Sequence, residues 1–260
     1  MGKTLFVVAA AAVLCCEATA SAKPTGQAIM DAVENRNDGR TEVATVSLAI
    51  QPKHGTKRYR RFIAARKEYP KHTKFAAYIL APQGLRDAAF MVWDVRKDDD
   101  RRWLYLPAIG QVRRLAPGDA RASFFGSDFV YEDFTNRDPE LDRHKLLGSD
   151  KFGKWDCWVV ESKPKNPGSV KFTKIRTWVW KDTPLIMREE YYNAQGKVYR
   201  RGQVLAVKKI QGIWTWYQGT MWNLASGSQT RMEISDVRYN VEIPDERFSE
   251  RQLERGAPSL

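Results

Sequence analysis

The sequence predicts a mainly β (α+β) protein: a curled antiparallel meander forming an incomplete β-barrel of about 11 strands covered by a few helices. Three observations carry this. Short runs rich in β-branched and aromatic residues recur along most of the chain, the connections between them are short and rich in Gly, Asp, Asn or Ser, and only three segments read as helical. A meander this long curls, because a flat sheet of that width leaves long edges and uncovered faces.

The first element is a leader. Lys3, an apolar run over 5–16 and the small residues Ala20-Ser21-Ala22 form a secretory signal peptide, with cleavage expected after Ala22. The run is shorter than the ~20 residues that span a bilayer as a helix. Cys15 follows Leu14 and Cys16 follows Cys15, so neither has the Gly, Ala or Ser that precedes an acylated cysteine. Residues 23–260 then form one exported domain, expected in the periplasm, with outer-membrane association through transient surface contact. Cys157 is its only cysteine. No disulfide is available within it, and the setting Trp155-Asp156-Cys157-Trp158 reads as a strand that buries an inert thiol.

After the leader, 26–35 is helical: Ile29 and Val33 stand four apart and Asp38-Gly39 stops the run. Strand-like runs follow at 41–51, 57–67, 73–81, 88–95, 102–106 and 111–115. The middle segment 123–136 interrupts them, with Phe125, Phe129 and Tyr131 or Phe134 near helical spacing. Strand texture resumes at 141–149, 155–163, 170–181, 185–193, 198–210, 213–224 and 229–241. Asn193-Ala194-Gln195-Gly196, Gln211-Gly212 and Ala225-Ser226-Gly227-Ser228 mark hairpin turns. Pro244-Asp245-Glu246 opens a last helical turn toward Phe248 and Leu253.

The chain carries 43 Lys and Arg against 31 Asp and Glu, a net charge of +12 spread along its length. Spread charge on an exported chain points away from nucleic acid. It suits either anionic lipid head groups or simply a solvated basic exterior. Catalytic signals are thin. His54, His72 and His144 lie apart with no ligand spacing, and no Gly-x-Ser-x-Gly elbow occurs. Neither a metal nor a cofactor is implied. Asp128 and Glu132, with Asp133, can imitate a carboxylate pair, but Arg113, Arg114 or Arg121 are ready partners for them. Asp98-Asp99-Asp100 reads as a hairpin tip.

Aromatics at alternate positions share a face of their strand: Trp103 with Tyr105, Trp178 with Trp180, Trp214 with Trp216. Two readings stand. The stripe is a packed core, or it walls an apolar cavity. As a cavity, these six residues are the candidate wall and Phe124, Phe125 and Phe129 the candidate helical lid.

The stretch 103–115, followed by Ser123-Phe124-Phe125-Gly126-Ser127-Asp128-Phe129-Val130-Tyr131-Glu132-Asp133-Phe134 and closed by Ile243-Pro244-Asp245-Glu246-Arg247-Phe248, resembles the LolA-like outer-membrane lipoprotein-sorting proteins. The resemblance covers nearly the whole chain after the leader. It implies a half-barrel whose open mouth is covered by helices and whose cavity takes lipid or lipoprotein acyl chains. It also implies a membrane partner, either a transporter of the resistance-nodulation-division (RND) type or an outer-membrane acceptor. No local motif transfers the arginine that holds the lid in that family. A carrier passing lipid toward the outer membrane is therefore the expected function; a non-carrier envelope module, using an exposed aromatic face on glycan or on a membrane transporter, is the alternative.

Overall fold

A computed structural model describes residues 23–95 and 100–258. The leader, its cleavage site, and Asp98 and Asp99 of the expected hairpin tip lie outside these residues.

Helix α1 (Gly26–Glu34) is capped by Thr25, whose hydroxyl accepts from the Ala28 N–H at 3.1 Å. Its first residue must be glycine. A Cβ there would meet the backbone of His144 at 2.8 Å, so the helix start rests directly on a strand. The strands are β1 (Thr41–Gln51), β2 (Arg58–Glu68), β3 (His72–Ala81), β4 (Ala89–Val95), β5 (Arg101–Leu106), β6 (Gln111–Leu115), β7 (Asp142–Phe152), β8 (Trp155–Pro164), β9 (Lys174–Trp180), β10 (Ile186–Tyr192), β11 (Val198–Ile210), β12 (Ile213–Asn223) and β13 (Ser228–Tyr239). All 13 belong to one antiparallel sheet. That is more than the expected 11, because even the short runs β5 and β6 pair in register from Arg102↔Leu115 to Leu106↔Gln111.

The strand order is β6-β5-β4-β3-β2-β1-β13-β12-β11-β10-β9-β8-β7. Two meanders therefore grow outward from the central β1–β13 pair, and β6 and β7 are opposite edges of an open sheet. The connection between those edges, residues 116–141, has to cross the whole sheet. This topology supplies a cover for one face, here termed the inner face.

The cover was expected to be helical over 123–136, and it is not. It is a chain of 3₁₀ turns, Pro117–Arg121, Phe124–Gly126, Tyr131–Phe134 and Pro139–Leu141. Phe125 and Gly126 both take positive φ (46° and 77°), and the Ser127 hydroxyl donates to the Phe124 carbonyl at 2.7 Å. Serine hydroxyls that bond their own backbone compete with a regular helix.

Alternation along the strands makes two cores. Val46, Leu48, Ile50, Phe62, Phe90 and Val92 face inward and pack on Phe124. Their neighbours Val43, Ala65, Tyr78 and Met91 face outward, under Phe248 and Leu253. The chain end thus covers the outer face with the turn Asp245–Phe248 and helix α2 (Glu250–Arg255). Tyr78 fixes that end by donating its hydroxyl to the Arg247 carbonyl at 2.6 Å. No helix among the described residues is long and apolar enough to cross a membrane.

Candidate functional site

The inner face is filled unevenly. Over β1–β4 the cover inserts its phenylalanines: Phe124 lies 5.4 Å from Phe62, 6.0 Å from Phe90 and 4.2 Å from Phe134, ring centre to ring centre. Over β9–β12 the cover carries no such plug, and the strands offer small side chains, among them Thr177 and Gly202. The result is a cavity of about 610 Å³ between the cover, α1 and this half of the sheet. Met30 and Val33 of α1 and Ile175, Met187, Val204 and Trp216 of the strands supply its apolar wall.

A polar cluster interrupts that wall. Arg200 on β11 is 9% exposed and pairs with Asp133 of the cover, while its guanidinium lies 5.0 Å from the Tyr191 ring centre. Asp133 also accepts from the Val130 N–H at 2.8 Å, so its pair with Arg200 ties the turn Tyr131–Phe134 to β11. Burial opposes the charge on Arg200, but Asp133 with the neighbouring Tyr191 and Tyr199 outweighs it, and the guanidinium holds its proton more tightly than usual. Beside it, the Tyr191 hydroxyl donates to Glu189 at 3.0 Å. Burial raises the Glu189 carboxyl above the usual carboxylate range; the Tyr191 bond opposes this, and the nearby Asp133 charge adds to it.

Of the nine residues proposed from the sequence, Trp216 and Phe129 line this cavity. Phe124 and Phe125 are core under the filled half, and they belong to 3₁₀ turns instead of a helical lid. Trp103 and Tyr105 sit on the outer face with Phe248 and Leu253. Trp178 and Trp180 pack with Cys157, and Trp180 meets Trp214 at 4.9 Å. The indole N–H groups of Trp178 and Trp180 donate to Asp150 and Asp182. Cys157 itself is fully buried, and burial pushes its thiol up to about 11.

The carboxylates 128, 132 and 133 form no paired site. Asp128 accepts from the Ser228 and Thr230 hydroxyls of β13, and the arginine that answers Asp133 is Arg200, not Arg113, Arg114 or Arg121. Sequence reasoning missed Arg200, Tyr191 and Glu189. Their one signal was a set of charged residues, Glu189-Glu190 and Arg200-Arg201, inside strands that otherwise read as half-buried.

A family model described as that of an uncharacterized protein matches residues 71–255. The chain belongs to that family. No curated protein matches the chain. Among solved structures, a DUF1329 family protein from Desulfovibrio piger is 27% identical with a TM-score of 0.83, over 88% of this chain and 97% of its own. A domain from Vibrio parahaemolyticus, named for outer membrane lipoprotein sorting, is 24% identical with a TM-score of 0.82, over 88% and 98% of the two chains. A LolA superfamily protein from Nitrosomonas europaea, at 19% identity and a TM-score of 0.69, covers 88% of this chain and 100% of its own. The chain therefore has the LolA-like fold that the stretches 103–115, 123–134 and 243–248 implied, as an open sheet and with 3₁₀ turns in place of the expected helices over the inner face.

Proposed function

We propose that this LolA-like protein is a periplasmic carrier that takes acyl chains, from lipoprotein or another lipid, into the inner-face cavity and passes them toward the outer membrane. The observation that carries the reading is the cavity itself. At about 610 Å³ it lies in the range of ligand sites, and the cover that plugs the other half of the sheet forms one of its walls. Burying a dozen methylenes there gains about 10 kcal/mol before the costs of ordering are subtracted. Delivery requires the cover to yield, and its ties to the sheet, besides those of Asp128 to β13, mark where. Arg60 Nε donates to the Phe125 carbonyl at 3.0 Å, Asp133 pairs with Arg200, and the Asn136 N–H donates to Asp94 at 3.1 Å. The +12 charge favours contact with anionic head groups during exchange, and a transporter of the RND type or an outer-membrane acceptor is the matching kind of partner.

The exposed-aromatic alternative has little to stand on, since Trp103, Trp178 and Trp180 are each less than a tenth exposed. The deciding experiment is native mass spectrometry of the exported protein together with titration by fluorescent fatty-acid probes. Lipid adducts and saturable binding are expected, and Val204→Trp, which fills the cavity, weakens probe binding at least tenfold. If neither adduct nor saturable binding appears, the carrier reading fails.

A further inference from the structure

The two ends of the sheet carry different chemistry. Strand register pairs Ile50 with Arg58, Gln51 with Gln229, Asn223 with Ser228 and Arg200 with Asn223, so the turns at 52–57, 224–227 and 193–197 stand side by side. The turns at 82–88, 107–110 and 165–173 continue the same rim outward on both sides. These turns hold Lys53, Lys57, Arg86, Lys165, Lys171 and Lys197, all exposed, against one acid, Asp87. The step into β7 adds Asp138 and Glu140, and the Asp138 carboxylate accepts from the Glu140 N–H at 2.8 Å. At the opposite end cations are matched by acids: Arg66 pairs with Asp38, Lys67 with Asp245 and Lys151 with Asp156.

The exposed apolar side chains follow the same division. Tyr59, Ile109, Leu141 and Leu224, each at least 41% exposed, stand on or beside the basic rim. Leu147 and Leu205 lie within strands, and among the described residues no large hydrophobic side chain of this exposure lies at the opposite end. Neighbouring turns are two strands, about 10 Å, apart. The apolar residues therefore stand singly between cations and form no contiguous patch of the kind that centres a protein interface. A lipid leaflet suits this arrangement. Its anionic head groups move to meet each cation, and isolated apolar side chains sink between them to the acyl boundary.

We infer that this rim is the surface by which the protein docks on an anionic phospholipid bilayer. Lys171 of the rim also lines the cavity, as do Tyr199 and Asn223 beside two of its turns, so docking presents that end of the cavity to the lipid. The inference deepens the carrier reading by naming the face turned to the membrane, and it is measured without cargo.

The test is sedimentation of the whole exported protein with vesicles of phosphatidylethanolamine containing about a quarter phosphatidylglycerol, in low-salt buffer. Binding is expected there, and at least about tenfold weaker binding to vesicles of phosphatidylcholine alone. Each Lys or Arg near an anionic leaflet contributes about fivefold, so the triple variant Lys53→Gln, Lys57→Gln, Lys197→Gln is expected to lose at least about twentyfold. Lys71→Gln, Lys154→Gln, Lys181→Gln removes the same charge from exposed turns at the other end and is expected to lose less than about threefold. Equal losses in the two triples make the effect one of net charge and overturn the inference. Failure of the unmodified protein to bind the anionic vesicles overturns it without reference to any variant. Binding of soluble poly-L-glutamate as tight as that of vesicles also overturns it, because a soluble polyanion gives the apolar residues nothing to enter. In each of these cases the carrier reading stands, since it is decided by cargo probes and not by vesicles.

Discussion

The two halves of the sheet share a backbone plan and a cover, yet one is solid and the other hollow. Over β1–β4 the cover contributes Phe124 and Phe134, which meet Phe62, Phe75 and Phe90. Over β9–β12 the facing residues are Thr177, Gly202 and the Arg200–Asp133 pair, and space remains. The same segment thus works as core at one end and as roof at the other. Aromatic content alone does not mark a binding site; what matters is whether the opposite surface fills the gap.

Substitutions that act on only one half sharpen this contrast. Phe124→Ala empties the solid half and is expected to cost about 4 kcal/mol in urea unfolding, the range for a fully buried aromatic. Asp133→Ala strikes the hollow half: it leaves the Arg200 charge buried and unpaired, and about 3 kcal/mol is expected to be lost in the same assay. If the two variants respond alike to added lipid probe, the halves do not differ as described; restabilisation is expected only where the cavity remains intact, in Phe124→Ala.

A more gradual effect concerns pH. Burial, and then the neighbouring Asp100, push Asp94 up to about 7, against an unfolded value near 3.9. The folded protein then holds a proton that the unfolded chain has released between those values. Its stability accordingly falls as pH rises from about 4 to about 7, by at most about 1.4 kcal/mol per unit. Asp94→Asn is expected to flatten that part of the curve; an unchanged slope assigns the effect elsewhere. The smallest change is expected for Trp178→Phe, which loses the Asp150 bond at about 1 kcal/mol and leaves probe binding as it was, because Trp178 packs in the tryptophan cluster outside the cavity lining.

Much of the fold was legible because strand periodicity and turn chemistry are local. The strand runs, the turns at 193–196 and 225–228, and the ending on Phe248 and Leu253 all follow from short windows of sequence. The site was less legible, since a period of two says which residues of a strand share a face but not which face that is. Trp103 and Trp216 obey the same alternation, yet strand pairing sends one beneath α2 and the other to the cavity. Irregularities in register between Ile186 and Arg188, and between Val204 and Val207, shift faces in ways no window reveals. Arg200 stayed hidden because its partner lies 67 positions away and meets it only through the crossing segment.

That crossing segment leaves β6 at one rim and enters β7 at the other. It is strung like a bowstring, attached at both ends, and so it has no free tip to swing aside. Widening of the cavity beneath it would draw on slack in its middle or on a change in the distance between the rims. Whatever grips an edge strand therefore has leverage on the cover of a chamber it never touches.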